Sequence, residues 1–206
     1  NTDNMAISGE TIDYGPCAFM NVYDPKTVFS SIDRTGRYAY ENQSGIAQWN
    51  LARLAETLLP LLTSETERAI ALATEVLEEF TTRFEAAWLD GMRKKLGLQT
   101  AETGDAELAR GLLGWMEKSE ADFTNTFREL STDEPPVGDR YRNADFQMWY
   151  SQWQHRLSRD SRPATEAAAL MRTVNPAVIP RNHLVEEALS AAEVHDDLSV
   201  VHDLLA

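Results

Sequence analysis

Three oxygen-bearing side chains near the start of the sequence, Asp3, Asn4 and Asp13, are of the types a hard divalent cation requires. Carboxylate and amide oxygens suit Mg2+ or Mn2+. Between them, Met5, Ile7, Thr11 and Ile12 flank Ser8-Gly9-Glu10. That pattern predicts a short β-hairpin with a glycine turn and with Asn4 and Asp13 at its two ends. The plainer reading of this spacing is an Asx turn with a helix or loop cap, and spacing alone leaves both readings open. The other reactive side chains are less suggestive. Cys17 is the single cysteine, so it makes neither an internal disulfide nor a Cys-rich zinc site, and its setting reads as that of a small buried residue. His155, His183, His195 and His202 have no metal-ligand spacing and read as surface or capping residues. Arg34 and Arg37 flank Gly36 and either fix their loop or meet phosphate, the structural role ranking first.

The elements that must position these groups change character along the chain. Residues 1–45 are rich in turn formers and read as loop and short strand. From Ile46 onward apolar residues recur at helical spacing. Ile46, Trp49, Leu51, Leu54, Leu58 and Leu62 predict a core helix over about 46–62. Ser64 with Glu67 forms a capping box for a second helix reaching about Leu96. Helices then follow around 108–116, 123–130, 143–158 and 163–173, another starts near Asn182, and a last one spans about 196–205. Trp149, Tyr150 and Trp153 sit at core-packing spacing and are not taken as a base-stacking platform. Neither 99–104 nor 131–142 is long enough to be a linker, and aromatic residues on both sides need burial. Residues 1–206 are therefore expected to form one continuous unit, with the helical tail packed on the rest. The 33 acidic residues against 19 basic ones leave a net charge of −14, which argues against broad binding to nucleic acid or to an anionic membrane. No apolar run approaches the roughly 20 residues of a membrane span, and no signal-peptide pattern opens the chain, so a soluble cytoplasmic protein is expected.

Asp13-Tyr14-Gly15 has the form of the Asp-aromatic-Gly motif with which protein kinases hold magnesium against nucleotide phosphates, and Asn4 then matches the metal-binding asparagine of their catalytic loop. The wider pattern resembles the selenoprotein O family. It comprises Asn1-Thr2-Asp3-Asn4-Met5, Thr11-Ile12-Asp13-Tyr14-Gly15-Pro16, Gly36-Arg37-Tyr38-Ala39-Tyr40, Asn42-Gln43, Trp49-Asn50-Leu51 and, later, Asn175-Pro176 with Ile179-Pro180-Arg181-Asn182-His183. The resemblance implies a mainly α fold: a short hairpin and activation-segment-like loop (1–45), then a helical C-lobe of protein-kinase-like type with a helical extension (46–206). It also implies a pseudokinase that transfers AMP, or UMP, from ATP or UTP to protein hydroxyls with Mg2+ or Mn2+. On this reading Asn4 and Asp13 are metal ligands, Asp13 also meets the nucleotide, and Asp3 is the acceptor that orients the attacking hydroxyl. A carboxylate beside a divalent metal is a poor base, so positioning is favoured over base catalysis. The glycine-rich loop and lysine of a nucleotide-binding lobe are not in this sequence, so the chain alone is expected to be inactive. A non-catalytic helical interaction module and an ordinary phosphotransferase are the alternatives.

Overall fold

A computed structural model describes residues 2, 5–10, 18–161 and 163–205. Among these residues eight α-helices carry the fold: α1 (Gln43–Leu62), α2 (Thr66–Lys95), α3 (Asp105–Ser119), α4 (Phe123–Leu130), α5 (Ala144–Leu157), α6 (Ala164–Val174), α7 (Asn182–His195) and α8 (Ser199–Leu205). The mainly α expectation holds, and the helices follow the predicted order. Two boundaries move for local reasons. The second helix begins at Thr66, beyond Ser64, with Ala69 N–H donating to the Glu65 carbonyl. The last begins at Ser199, because Asp196 stands in the left-handed region at φ 53° and the Asp197 carboxylate accepts the Ser199 N–H at 2.9 Å.

The short β-hairpin is a correction. Residues 5–10 form a turn in which Gly9, at φ 70°, donates its N–H to the Ala6 carbonyl, and they carry no strand; Thr11 and Ile12 lie outside the described residues. So short a ladder gains too few hydrogen bonds to offset the cost of ordering it. β pairing among the described residues is an isolated antiparallel bridge between Val22 and Asp122. No described helix is long and apolar enough to cross a membrane.

The chain divides into two compact units, with the division inside α2. The first takes Asn1–Gly15 and Asp24–Met92, the second Pro16–Tyr23 and Arg93–Ala206. In the first unit, α1 and α2 meet where Gln48 Nε2 donates to the Leu77 carbonyl at 3.1 Å. Their buried residues are few: Asn50 in α1, Ala69 and Met92 in α2. Trp49, expected on the core face, is 43% exposed. The reason is its partner one turn on. Arg53 lies over the indole at 5.2 Å and Arg37 at 4.7 Å, so guanidinium groups cover the ring.

The second unit is packed around α3 and α5. Trp115, Phe146, Trp149 and Trp153 are buried there, with Trp115 and Phe146 centroids 4.7 Å apart. Two of the indole N–H groups are satisfied, Trp149 donating to the Leu108 carbonyl at 2.8 Å and Trp153 to the Leu96 carbonyl at 2.9 Å, whereas that of Trp115 is buried without a partner among the described residues. Helix α2 ends in a Schellman motif: Leu98 N–H donates to the Arg93 carbonyl, Gly97 N–H to that of Lys94, and Gly97 stands at φ 73°. A buried ionic cluster ties the unit together. Asp105 accepts from Arg93 Nε at 2.7 Å, Arg156 Nε at 2.8 Å and the Glu102 N–H at 2.9 Å. Asp160 accepts from the Gln99 N–H at 2.9 Å, the Thr100 hydroxyl at 2.6 Å and Arg156 Nη1 at 3.1 Å. Burial pushes both carboxyls up, but these hydrogen bonds and the Arg156 charge outweigh it and hold both below the usual carboxylate range.

Candidate functional site

Asp3, Asn4 and Asp13, the residues expected to hold metal and orient the attacking hydroxyl, lie outside the described residues, as do Tyr14, Gly15 and Cys17. Their described neighbours are informative. Thr2 and Met5, which bracket Asp3-Asn4 in the sequence, both line a cavity of about 410 Å³ in the first unit, against the flank of α1. Ile7, Leu51 and Leu54 supply its apolar wall, and Asn50 and Arg53 its polar groups.

Asn50 is the residue the sequence reading left without a role. It is 5% exposed and donates through Nδ2 to the Met5 sulfur at 3.0 Å, while its Oδ1 is buried with no hydrogen-bond partner. An unmade hydrogen bond on a buried acceptor costs about 1–3 kcal/mol. The sequence does carry a signal for it. Ile46, Asn50, Leu54 and Leu58 stand four apart along α1, so an amide interrupts a row that burial alone would fill with aliphatic residues.

The loop leading into α1 is fixed by its own polar groups. The Asp33 carboxylate accepts the backbone N–H of Arg37 at 2.9 Å and of Tyr38 at 2.7 Å, and Gly36 supplies the left-handed turn at φ 69°. Asn42 Nδ2 donates to the Gly36 carbonyl at 2.7 Å, and Gln43 Nε2 to that of Tyr38 at 2.8 Å. The Gly36–Tyr40 and Asn42-Gln43 blocks therefore act on one loop, and Arg37 fixes it through Trp49 as well as through its backbone.

The 175–183 block serves the second unit. Asn175, fully buried, donates to the Lys95 carbonyl at 2.9 Å and the Ser131 hydroxyl at 3.0 Å, and its own side-chain oxygen accepts from Lys95 Nζ at 3.2 Å. Arg181 Nη1 donates to Asn21 at 2.7 Å and Asp122 at 2.5 Å, and Asn182 reaches the Phe19 carbonyl at 3.4 Å. Residues 19–21 are thus held by a segment about 160 positions further along the chain. A second cavity, of about 510 Å³, lies beside α5 and α6; its Asp160 is committed to the ionic cluster and its Gln99 is half-buried. Among the described residues no group of three or more His, Cys, Asp or Glu is placed to hold a metal ion.

Comparison with known proteins bears on residues 1–206 in full. The family model described as "Protein adenylyltransferase SelO" matches that whole span. The chain is 54% identical over 205 residues to the protein nucleotidyltransferase YdiU of Nitrosococcus oceani, and 56% identical over 206 residues to that of Shouchella clausii. Each alignment covers all of this chain and 42% of the relative, so the chain spans under half the length of the curated relatives it matches.

Proposed function

The chain belongs to the SelO family of protein adenylyltransferases, and on that premise we propose that it is the C-terminal, mainly helical part of a protein nucleotidyltransferase. The reaction moves AMP, or UMP, from ATP or UTP to a Ser, Thr or Tyr hydroxyl of a protein substrate. The hydroxyl oxygen bonds to the α-phosphorus, the bond from that phosphorus to the β-phosphate bridging oxygen breaks, and pyrophosphate leaves. The observation carrying this reading is the family match across residues 1–206 in a sequence that keeps Asp3-Asn4 and Asp13-Tyr14-Gly15.

Two carboxylates and an amide oxygen fit a hard divalent cation by donor chemistry, so Asn4 and Asp13 are the residues to hold Mg2+ or Mn2+. The cation, when bound, neutralises charge building on the phosphates. Asp3 orients the substrate hydroxyl, accepting its hydrogen bond as the oxygen attacks. The helical region is then the C-lobe of a protein-kinase-like fold with a helical extension, and the 206 residues on their own lack activity. The one-unit expectation belongs to this reading; a stable proteolytic product ending near Asp133, or two well-separated melting transitions, would overturn that part.

The test is transfer of label in the complete protein with magnesium. ATP labelled at the α-phosphate is expected to label protein, and Asp13→Ala is expected to abolish it. Transfer of γ-label without α-label would make the protein an ordinary phosphotransferase. Absence of both, with no stabilisation by ATP and magnesium, would make it an interaction module.

A further inference from the structure

Two arginines share one indole in the first unit, and only one of them has a carboxylate. The guanidinium carbons of Arg37 and Arg53 lie 4.7 and 5.2 Å from the Trp49 ring centre, Arg37 reaching it from the loop before α1 and Arg53 from within α1. Arg53 is paired with Glu56 at 2.6 Å. Arg37 is exposed and makes no ion pair among the described residues, and the Asp33 carboxylate of its own loop is committed to the backbone N–H groups of Arg37 and Tyr38. Carboxylates are plentiful in a chain with 33 acidic residues against 19 basic ones, so placement, not scarcity, leaves this guanidinium open. A guanidinium over a ring keeps N–H groups on its edge for an anion.

We propose that Arg37, held over Trp49, is a docking point for a carboxylate in an acidic segment of the protein substrate. The inference deepens the proposed reaction by giving its substrate a feature, and it rests on that reading for the partner's being a substrate. Arg37 is tied down at its backbone N–H by Asp33 and at its guanidinium by the indole, so it has less side-chain freedom to lose on binding than a free surface arginine. Its planar fork matches a carboxylate through two N–H groups. A nucleotide is the poorer occupant, because guanidinium groups already cover the ring on which a base would stack. Trp49 is 43% exposed, and that exposed part of the indole offers an apolar contact beside the charge, a combination suited to a peptide segment.

The test measures binding in the complete protein by fluorescence anisotropy, with neither metal nor nucleotide present. Two labelled peptides are compared, each a serine flanked by four glutamates or by four glutamines. The glutamate peptide is expected to bind about ten-fold more tightly at low salt, and the difference should shrink as salt is raised. Arg37→Gln should remove most of that difference, and Arg37→Lys should restore only part of it, since an ammonium lacks the fork. Glu56→Gln frees the second guanidinium and should tighten the glutamate peptide about two- to three-fold. In the transfer assay Arg37→Gln should raise KM for the glutamate peptide about ten-fold with kcat little changed. Equal binding of the two peptides overturns the docking point. Equal weakening of both by Arg37→Gln, with a lowered melting temperature, also overturns it, since that marks a role in fixing the loop alone. Displacement of the glutamate peptide by ATP without metal would make Arg37 a nucleotide contact and overturn it as well. Absence of α-label transfer overturns the proposed reaction instead, and leaves the anisotropy result to decide whether Arg37 binds an acidic segment.

Discussion

The two units are built from the same kind of helix and differ in what covers them. In the second unit α3 alone buries seven residues, Asp105, Leu108, Ala109, Leu112, Leu113, Trp115 and Met116. In the first, the 20-residue α1 buries one, and that one is polar. Leu61 at 80% and Val76 at 70% exposure stand on the helices of the first unit, against 1% for Phe127 and Phe146 in the second. Helical periodicity thus marks a face suited to burial without ensuring that this chain buries it. The second unit also pairs the buried charges of Asp105, Asp160 and Arg156 with one another, although both units keep buried polar atoms without a partner among the described residues, Asn50 Oδ1 in the first and Gln99 Nε2, Trp115 Nε1 and Glu129 Oε2 in the second.

The sharpest way to break this contrast is to remove Asp105. Arg156 is 3% exposed and would keep Asp160 at 3.1 Å and Glu102 at 3.2 Å while losing its bond to Asp105, and Arg93 would lose its bond to Asp105. Asp105→Ala is expected to cost about 3–5 kcal/mol, read as a large fall in the denaturant midpoint followed by tryptophan fluorescence. A cost under about 1 kcal/mol would mean that aromatic packing alone sustains the second unit.

Next in size is acid sensitivity. Asp105 and Asp160 have folded values below their unfolded ones, so their contribution is fully present above the ordinary carboxylate value near pH 4 and fades as pH falls through the lower folded values. A urea titration at pH 7 and again below pH 4 should show the second unit weakening only in the lower range, and Asp105→Ala should flatten that dependence.

Gly97→Ala is expected to cost about 1–2 kcal/mol by thermal melting. The position has φ 73°, and a Cβ there would meet the Met171 sulfur at 2.9 Å. Gly45→Ala in α1, where a Cβ meets nothing within 4 Å, is the control in the first unit and should change stability by no more than about 1 kcal/mol, in the stabilising direction. The smallest effect is expected at the exposed apolar residues. Leu61→Ser and Val76→Ser should each stay within about 0.5 kcal/mol, and a larger loss would show that those faces are covered in solution.

Much of the architecture was legible in the residues themselves. The helices came out near their expected spans, because side-chain periodicity within one element follows from backbone geometry that repeats every 3.6 residues. Trp149 and Trp153 were legible as core for the same reason, and the oxygen donor set and its family resemblance rest on residue types and order. Tertiary structure decided what lies beyond one element's period. Asp105 meets Arg93 and Arg156, 12 and 51 positions away, and Arg181 meets Asn21 across 160. No spacing rule predicts such pairs, since they depend on which helices come together. Trp49 had the spacing of a core residue, yet its environment was set by Arg37, a loop residue outside the helix. The hairpin pattern was present in the sequence, but residues 5–10 form a turn with no strand, and Met5 meets Asn50 on α1. Asn50 shows the division most directly: its place in an aliphatic row was readable, while its contact with the Met5 sulfur and its unpaired oxygen depend on what packs against α1.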